Sequence, residues 1–416
     1  MYTNPEMARC ALCKSGMVVE LIDFGMQPIC NRYLAPPAHG EFKHPLAVGQ
    51  CQSCGLIQIS RPFPAAELRP VYDWITYVEP EDHLDRLAQI LSRLPGLTSS
   101  SVFCGMTFKD DSLLTRMKGL GFETWRIDPQ KDLGIEDSGA GVETVQDRFG
   151  PEVSRRIVQG RGRVDVVVAR HILEHAHRLE RFVKGLKELV KPEGYIVVEL
   201  PDCSRSLETG DCTTLWEEHV LYFTPETFQR AFAFCGFSLV QFERFRYPLE
   251  DSLVGIAQLA QRLTPSFPSE ELLRDERKRA DLFLRGFGSH RDRFKRILSE
   301  ERRQGGKVAL LGAGHLSCAF INLLDLKDDI DFVVDNDPHK RGLLMPGSRL
   351  SIWDSSALLG RKVKLCLLGV NPANQTKVIQ RHRDFLEQGG SFLSIFPGGG
   401  TRPVEESFFG KAVACP

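Results

Sequence analysis

From Ser101 onward, apolar runs and periodically spaced polar residues alternate in the pattern of strands followed by helices. A short apolar run, SVFCG, precedes SLLTRMKGLG, whose spacing predicts a helix that ends at Gly121. Further strands are predicted at FETWRID, VETVQD, VDVVVAR and GYIVVELP, with an amphipathic helix at LERFVKGLKELV. This alternation predicts an α/β fold with a doubly wound parallel sheet, in which ligands bind at the carboxyl ends of the strands.

Helices are also predicted on both sides of this region. Upstream, apolar residues recur at three- and four-residue steps, at Leu84, Leu87, Ile90, Leu91 and Leu94. Downstream, TPETFQRAFAFCG predicts a helix with Thr224 as its N-cap and Pro225 at its first position. Residues 268–304 carry both charges at helical spacing, which predicts a solvated helix or helix pair between domains.

A second α/β layer is predicted from Lys307 onward. VALLGAGHLSCAFINLL has the pattern of strand, glycine turn and helix, and later strands are predicted at IDFVVDND, KVKLCLLGV and GGSFLSIFPG. We therefore expect three domains. Residues 1–70, rich in Pro and Cys, form a small module organised by metal, residues 71–250 hold the first sheet, and residues 251–416 hold the charged linker and a Rossmann-like domain.

Composition excludes several classes of partner. The chain has 416 residues and a formal net charge of -1, so no basic surplus indicates nucleic acid or an anionic membrane. Its start, MYTNPEMARC, lacks the pattern of a signal peptide, and no apolar stretch reaches about 18 residues. We expect a cytoplasmic protein, in which the 12 cysteines need an explanation other than disulfides.

Four of these cysteines form two C-x-x-C pairs. They are Cys10, Cys13, Cys51 and Cys54. Two such turns supply four thiolates to one tetrahedral ion, which predicts a closed structural zinc site with a folding role. Free buried thiols and a redox pair are the alternatives. Cys30 and His39, between the pairs, are expected to be packing or loop residues.

The carboxyl ends of the first sheet's strands are where a methyl donor such as S-adenosylmethionine would bind. After the first strand the chain reads GMTFKDD, with a single glycine. Asp128, at the end of the second strand, is placed to take both ribose hydroxyls or else to cap the helix that starts at Pro129. Asp147 and Phe149 are expected at the adenine. The full set of candidates is Gly105, Thr107, Lys109, Asp110, Asp128, Asp147, Phe149, Ala169, Arg170 and His171.

Two clusters of titratable residues follow central strands. The first is HILEH, with His171, Glu174 and His175, and the second is WEEHVLYF, with Glu218, His219 and Tyr222. Histidine suits proton abstraction beside a carbonyl, Glu can orient it, and Tyr can donate to an enolate oxygen. Each histidine could instead be a buried structural or capping residue, and metal binding by the first cluster is a weaker alternative.

These residues resemble a family of sugar C-methyltransferases that combine a zinc domain, a methyltransferase domain and a Rossmann-like domain. The resemblance covers nearly the whole chain, through CxxC…NRYL…CxxCG, ARHILEH, PEGYIVVELPD, EEHVLYFTPETF and LLGAGHLSCAFINLL. It implies S-adenosylmethionine-dependent methylation of the carbon beside a ketone in a nucleotide-linked deoxy sugar, with no metal in the chemistry. It also implies that a Rossmann-like domain helps to hold the nucleotide.

The resemblance also implies roles for individual residues. His219 takes the place of the catalytic base, Glu218 and Tyr222 lie beside it, and His175 matches a second active-site histidine. Tyr72 is the first candidate for a further active-site tyrosine, and Tyr77 the second. The chain departs from the family in the KDD loop, where Asp111 stands at an expected glycine, and in ITYVEPEDH after Tyr72.

Other functions stay open at this point. Gly312 and Gly314 with Asp335 make half of a dinucleotide fingerprint, so an NAD(P)-dependent oxidoreductase or epimerase is an alternative. Lys340 and Arg341 are solvated turn residues or phosphate contacts. A methyltransferase of another small acceptor and a non-catalytic zinc protein are further alternatives. We expect a monomer or weak homo-oligomer.

Overall fold

A computed structural model describes residues 9–14, 17–37, 40–75, 79–136, 141–260 and 265–398. The chain divides into two compact units. The first unit comprises Met1–Ile22, Ala47–Ser204 and Glu218–Lys278, and the second comprises Asp23–Leu46, Arg205–Glu217 and Arg279–Pro416. The boundaries of the three expected domains stay a prediction.

Strands and helices alternate along most of the described chain. The strands are β1 (Val18–Pro28), β2 (Lys43–Cys51), β3 (Ile57–Ile59), β4 (Val102–Gly105), β5 (Glu123–Arg126), β6 (Val164–Arg170), β7 (Val190–Asp202), β8 (Leu221–Tyr222), β9 (Phe237–Phe245), β10 (Asp251–Leu259), β11 (Lys307–Leu311), β12 (Phe332–Val334), β13 (Ile352–Trp353), β14 (Val363–Leu368) and β15 (Ser391–Ser394). The helices are α1 (Leu84–Ser92), α2 (Asp111–Gly119), α3 (Pro129–Leu133), α4 (Val142–Arg148), α5 (Pro151–Arg161), α6 (Leu179–Leu189), α7 (Ser204–Thr209), α8 (Pro225–Phe234), α9 (Glu270–Arg303), α10 (His315–Leu323), α11 (Ala357–Gly360), α12 (Pro372–Arg381) and α13 (Arg383–Glu387).

The main sheet of the first unit has six strands in the order β5-β4-β6-β7-β10-β9. Strands β5, β4, β6 and β7 are parallel, whereas β10 runs antiparallel to both of its neighbours. The predicted strand at VETVQD is wrong, because these residues lie in helix α4. Its two valines suggested a strand, but they are spaced three apart and both are buried on one face of the helix.

Successive residues of β6 face opposite sides of this sheet. Val166 and Val168 pack in a cluster with α1 and α2, while Val167 and Ala169 pack in a cluster with α5, α6 and α8. Side chains alternate across a strand, so a strand buried on both faces must be covered by helices on both sides. The predicted α/β, doubly wound fold class is confirmed.

A smaller sheet places the EEHVLYF segment. Its order is β1-β2-β3-β8, with β3 antiparallel to both β2 and β8. Tyr222 of β8 pairs with Ile57 of β3, and Ile59 N–H donates to the carbonyl of Val220 at 2.9 Å. Thr224 then caps α8 as predicted, accepting from Thr227 N–H. The residues around His219 are therefore held by main-chain hydrogen bonds on a strand.

The second unit holds a five-stranded parallel sheet in the order β13-β12-β11-β14-β15. This matches the predicted Rossmann-like layer. The charged region forms one 34-residue helix, α9. It is less solvated than expected, because Phe283, Phe294 and Leu298 form a buried stripe along it and Phe294 packs edge-on against Phe320.

Among the described residues, no helix is long and apolar enough to cross a membrane.

Candidate active site and zinc centre

The four cysteines of the C-x-x-C pairs converge as expected. Sγ of Cys10 lies 3.5 Å from that of Cys54, and Sγ of Cys13 lies 3.6 Å from that of Cys51. A zinc ion with four Zn–S bonds of about 2.3 Å separates its sulfurs by about 3.8 Å, so the cluster fits the ion. All four thiols lie within 4.8 Å of one another.

The two cysteine turns share one backbone geometry. Lys14 N–H donates to the carbonyl of Cys10, and Gly55 N–H donates to that of Cys51. Lys14 and Gly55 both have positive φ, at 62° and 81°. Lys14 takes the left-handed position in the first turn that Gly55 takes in the second. Both turns thus present their two sulfurs to the same point.

Asp110 organises the carboxyl ends of β4 and β6. Its Oδ2 accepts from Met106 and Thr107 N–H at 2.7 and 2.8 Å, and its Oδ1 accepts from Arg170 N–H at 2.9 Å. Burial raises the pKa of Asp110 to about 7 against the opposing effect of these donors. A Cβ on Gly105 would lie 2.8 Å from the Cβ of Asp110, so the glycine makes room for this carboxylate. Both residues shape the edge of the sheet from within.

Arg170, expected at the cofactor, lies in the interior. Arg170 is 0% exposed. Its Nε lies 2.5 Å from Glu199 Oε2, and its Nη1 donates to the carbonyl of Lys109. The register of β6 against β7 places Arg170 beside Glu199. A fully buried guanidinium has no surface for a ligand, so the structure assigns Arg170 to an internal ion pair. Ala169 before it is likewise 0% exposed.

Glu199 is the centre of a buried charged network. Besides Arg170, it contacts Nε2 of His83 at 3.0 Å, Oγ of Ser252 at 2.8 Å and Nε2 of His171 at 3.4 Å. Burial opposes its ionisation, but the neighbouring Arg170, His171 and His83 hold the pKa of Glu199 well below its usual value. This carboxylate is therefore an anion inside the sheet.

His171 is a further charged residue of that network. It has a positive φ of 49°, and its Nδ1 lies 3.7 Å from Glu174. Burial alone would lower its pKa, but the carboxylates of Glu79, Glu174 and Glu199 raise the pKa of His171 to about 10. Lys109, also expected at the cofactor, pairs with Glu79 at 2.6 Å.

The two predicted catalytic clusters meet at the end of β6. Val220 N–H donates to the carbonyl of Glu174 at 2.8 Å, which joins the HILEH turn to the EEHVLYF segment. The imidazoles of His175 and His219 are 4.5 Å apart at 76°, and the ring of Tyr222 lies 6.2 Å from that of His219. His219 is partly exposed, whereas His175 is buried. One imidazole of this cluster can take up a proton, and neighbouring groups can donate hydrogen bonds.

One glutamate that the sequence did not mark as a site residue, Glu143, completes this cluster. Glu143 Oε1 forms a hydrogen bond with Nδ1 of His175, and burial lowers the pKa of His175 to about 4. Donor atoms of Glu143, His175 and Glu218 lie within 4.8 Å of one another, and so do those of Glu174, His175 and His219. Glu143 was missed because its segment was assigned to a strand. Its 3-residue spacing from Gln146 in a helix is the signal that could have found it.

Glu174 is unusual within the cluster. It is 1% exposed, and neither carboxylate oxygen has a hydrogen-bond partner among the described residues. A buried carboxylate beside two imidazoles favours their protonated form through its charge. Glu174 therefore stabilises a proton taken up in this cluster.

The remaining cofactor candidates separate into half-buried and buried residues. Asp128 accepts from the N–H groups of Gln130 and Lys131 at 2.9 and 3.0 Å, so it caps α3, and its other oxygen faces outward. Asp147 pairs with Arg178 at 3.1 Å near the surface. Thr107 caps the turn over Phe108–Asp110. Phe149 is fully buried against Phe182, so its ring is a core side chain without surface for an adenine.

The predicted tyrosines precede α1. The ring of Tyr72 packs on Trp74 at 4.8 Å, and its place in the active site stays a prediction. Tyr77 lies outside the described residues.

The glycine turn of the second unit is braced by its own side chains. Asp335 Oδ2 accepts from Ala313 N–H at 2.7 Å and from Lys340 at 3.1 Å, while the hydroxyl of Tyr33 donates to the Ala313 carbonyl at 2.5 Å. Arg341 pairs with Asp354 at 2.5 Å. The main-chain N–H and carbonyl groups of Ala313 are thus paired within the protein.

Comparison with known proteins agrees with this architecture. Three family models match in order: "Putative zinc binding domain" at residues 10–68, "Methyltransferase domain" at residues 71–242 and "C-methyltransferase C-terminal domain" at residues 270–397. The C-methyltransferase NovU of Streptomyces niveus is 24% identical over 401 residues, covering 93% of this chain and 95% of the relative.

Solved structures give weaker similarity. The 1,6-didemethyltoxoflavin-N1-methyltransferase of Burkholderia thailandensis is 13% identical with a TM-score of 0.30, over 44% of this chain and 80% of its own. The glycopeptide N-methyltransferase MtfA with S-adenosylmethionine is 13% identical with a TM-score of 0.29, over 46% of this chain and all of its own.

The family models cover the zinc module, the main sheet and the second sheet in the order in which the structure presents them. The chain is an S-adenosylmethionine-dependent C-methyltransferase that combines a zinc-binding module, a methyltransferase domain and a C-methyltransferase C-terminal domain.

Proposed function

We propose that this enzyme methylates the carbon beside a ketone in a nucleotide-linked deoxy sugar, with His219 as the base. The observation that supports this most is the convergence of His175, Glu174 and His219 at the carboxyl end of β6. In α/β sheets this edge is where ligands bind. A buried imidazole beside a partly exposed one, with carboxylates around both, suits removal of a proton from carbon, which needs a base and a place for the developing charge.

The residues divide the work as follows. His219, the more exposed imidazole, removes the proton from the carbon next to the ketone. Tyr222 lies beside it to donate to the enolate oxygen, Glu218 orients the imidazole, and Glu174 stabilises the imidazolium that results. When bound, S-adenosylmethionine supplies the electrophilic methyl group for the enolate carbon. Glu143 holds His175 in one orientation through Nδ1.

The cofactor-holding residues lie after β4 and β5. Asp128, at the carboxyl end of β5, presents a half-buried carboxylate suited to ribose hydroxyls, and the buried Thr107 and the paired Lys109 follow β4 beside it. Asp147 lies near the surface at the end of α4. The interior residues Asp110, Arg170 and His171 act by keeping the strand ends in place.

A dinucleotide site in the second unit is the alternative. The paired N–H and carbonyl groups of Ala313, and Ser317 in place of a third glycine, disfavour it. We propose instead that the Rossmann-like domain helps to hold the substrate's nucleotide, as in the related family.

Two measurements test this function. A panel of nucleotide-linked deoxy keto-sugars is incubated with S-adenosylmethionine, and mass spectrometry detects the added methyl group. The same sugars are incubated in deuterium oxide without the donor, where the base should exchange the proton beside the ketone. Exchange separates C-methylation from O- or N-methylation, which needs no such proton loss.

We expect His219→Ala to lose both exchange and methylation by at least about 100-fold, the range of general base catalysis. Its affinity for S-adenosylmethionine, measured by calorimetry, should be unchanged. His382→Ala, a half-buried histidine in the second unit, is the matched control and should keep both activities. Full exchange in the His219 variant would remove this residue from the base's role, and calorimetric binding of NAD(P) alone would favour the oxidoreductase.

A further inference from the structure

A second group of metal-ligating side chains lies in the second unit, apart from the four cysteines. It consists of Cys30, Glu217 and His315. Three separate segments supply them: the end of β1 with its following turn, the segment before Glu218, and the first residue of α10. All three side chains are buried, and their donor atoms lie within 4.8 Å of one another.

The geometry of this group is fixed from several sides. Glu217 Oε1 accepts from Cys30 N–H at 2.6 Å, which leaves Oε2 facing Nδ1 of His315 at 3.5 Å. The ring of His315 stacks on Trp216 with centroids 3.6 Å apart and planes 8° from parallel. The imidazole is therefore held with its edge toward the carboxylate and the thiol.

The imidazole of His315 also has main-chain neighbours. Nδ1 is the nitrogen directed at Glu217, and the carbonyls of Leu215 and Thr213 lie beside the same buried ring. A metal-binding histidine commonly has a carbonyl at its second nitrogen, which fixes the orientation of the ring. Next to the thiol of Cys30 lies that of Cys318, which accepts from Asn322 Nδ2 at 3.2 Å.

We propose that Cys30, Glu217 and His315 bind a second zinc ion, with Cys318 as the nearest candidate for a fourth ligand. Sulfur, imidazole nitrogen and carboxylate oxygen are the three donor types that zinc takes in proteins. Cys30 was expected to be a packing residue, and burial alone is consistent with that. Packing, however, does not account for a thiol, a carboxylate and an imidazole that converge in one dry place.

The position of Glu217 in the chain connects this metal site to the active-site segment. It immediately precedes Glu218 and His219 in the chain, so an ion that holds Glu217 restricts the backbone from which the base projects. Metal at this site is therefore structural, and it acts on the active segment through the chain itself. This proposal does not depend on the identity of the substrate.

Metal analysis of the full-length protein tests the proposal. The protein is exposed to excess Zn²⁺, freed of loosely bound ions on a chelating resin and measured by mass spectrometry. We expect about two equivalents of zinc per chain, one for the four cysteines and one for this group. A single equivalent after this treatment would overturn the second site.

Variants assign the second equivalent. Cys30→Ser and His315→Gln should each retain about one equivalent, as expected when one of two zinc sites loses a ligand. His290→Gln and Cys212→Ser remove buried residues of the same unit that lie outside the group, and they should keep both ions. Two equivalents in the Cys30 and His315 variants would contradict the assignment.

Cobalt titration of the unaltered protein provides a test that does not require the variants to fold. Co²⁺ bound by one or two thiolates gives weaker sulfur-to-metal absorption than Co²⁺ bound by four. We therefore expect two successive phases with different spectra. A spectrum that stops changing after one equivalent would exclude a second site with a thiolate ligand.

Discussion

Nδ1 of His175 forms a hydrogen bond with Oε1 of Glu143, and this contact fixes the orientation of an imidazole that faces His219. The pair links helix α4 to the turn after β6. Since Nδ1 is engaged by the carboxylate, Nε2 of His175 is the atom left to face the site. Glu143 is therefore a positioning residue, and it acts on the substrate only through His175.

Replacing Glu143 by Gln should expose this role. The variant keeps the size of the side chain but loses a charge-assisted hydrogen bond, which is worth about 1.5–3 kcal/mol. We expect kcat to fall by roughly 10- to 100-fold, with the KM for the donor nearly unchanged. The pH profile of kcat should also change shape, because the charge that fixes the tautomer of His175 is gone. Glu152→Gln, on the exposed start of α5, is the control. An unaltered pH profile would reduce Glu143 to a packing role.

Glu174 should influence the base through its charge. Its carboxylate lies among the imidazoles, and it raises the pKa of His175 against the larger effect of burial. Glu174→Gln removes the charge and keeps the shape, so the imidazolium form of the cluster is less favoured. We expect the acid limb of the kcat/KM profile to move to lower pH, because protonation of the base then requires more acid. Glu180→Gln on α6 should leave the profile in place. A shift to higher pH would contradict the assigned role.

Local signals in the sequence were sufficient where the neighbouring residues alone decide the structure. Thr224 and Pro225 start α8 as predicted, and the leucine spacing from Leu84 predicted α1, because caps and helical periodicity act within a few residues. VETVQD failed for the opposite reason. Its β-branched residues favour a strand locally, but the buried face of α4 needs a helix.

The candidate site shows the same limit at the level of side chains. The structure joins two segments at the end of β6 through the hydrogen bond from Val220 N–H to the Glu174 carbonyl, with β8 in the smaller sheet. The HILEH and EEHVLYF motifs marked both segments, which hold His175, Glu218, His219 and Tyr222. They could not distinguish residues that face the cleft from those that face inward. Arg170 forms an ion pair with Glu199 on the neighbouring strand. This pairing depends on the register of β6 against β7, and no pattern in the nearby sequence indicates it.

The network around Glu199 should make stability depend on pH in a defined direction. The pKa of His171 is raised from its ordinary value of 6.5 to about 10 in the folded protein. A raised pKa means that the folded state holds the proton more tightly than the unfolded chain does. The stabilisation is complete below about pH 6.5 and is lost as pH rises toward 10.

His171→Asn tests this window. Asn tolerates the positive φ of 49° at this position but does not titrate. The unaltered protein should be more stable than the variant at pH 6, by on the order of 1–3 kcal/mol, and the difference in Tm should shrink steadily toward pH 10. Thermal unfolding at intervals of pH measures the difference. A gap that is constant or grows with pH would contradict a buried imidazolium at this site.

Asp128 is the residue at which capping and cofactor binding can be separated. One carboxylate oxygen accepts two N–H bonds at the start of α3, and the other, 3.9 Å from the exposed Nζ of Lys131, can accept from ribose hydroxyls. Asn caps helices about as well as Asp but has one acceptor oxygen and no charge. We therefore expect Asp128→Asn to keep its Tm while the Kd for S-adenosylmethionine rises by roughly 10-fold, equivalent to about 1.4 kcal/mol.

Phe149→Leu provides the opposite pattern: it should lower Tm, because it opens a cavity beside Phe182, and leave the Kd nearly unchanged. Calorimetry with the donor and thermal unfolding measure both quantities on each variant. If the Kd of Asp128→Asn is unchanged, the role of Asp128 is limited to capping the helix. If the Kd of Phe149→Leu rises while its Tm is unchanged, Phe149 contacts the adenine after all.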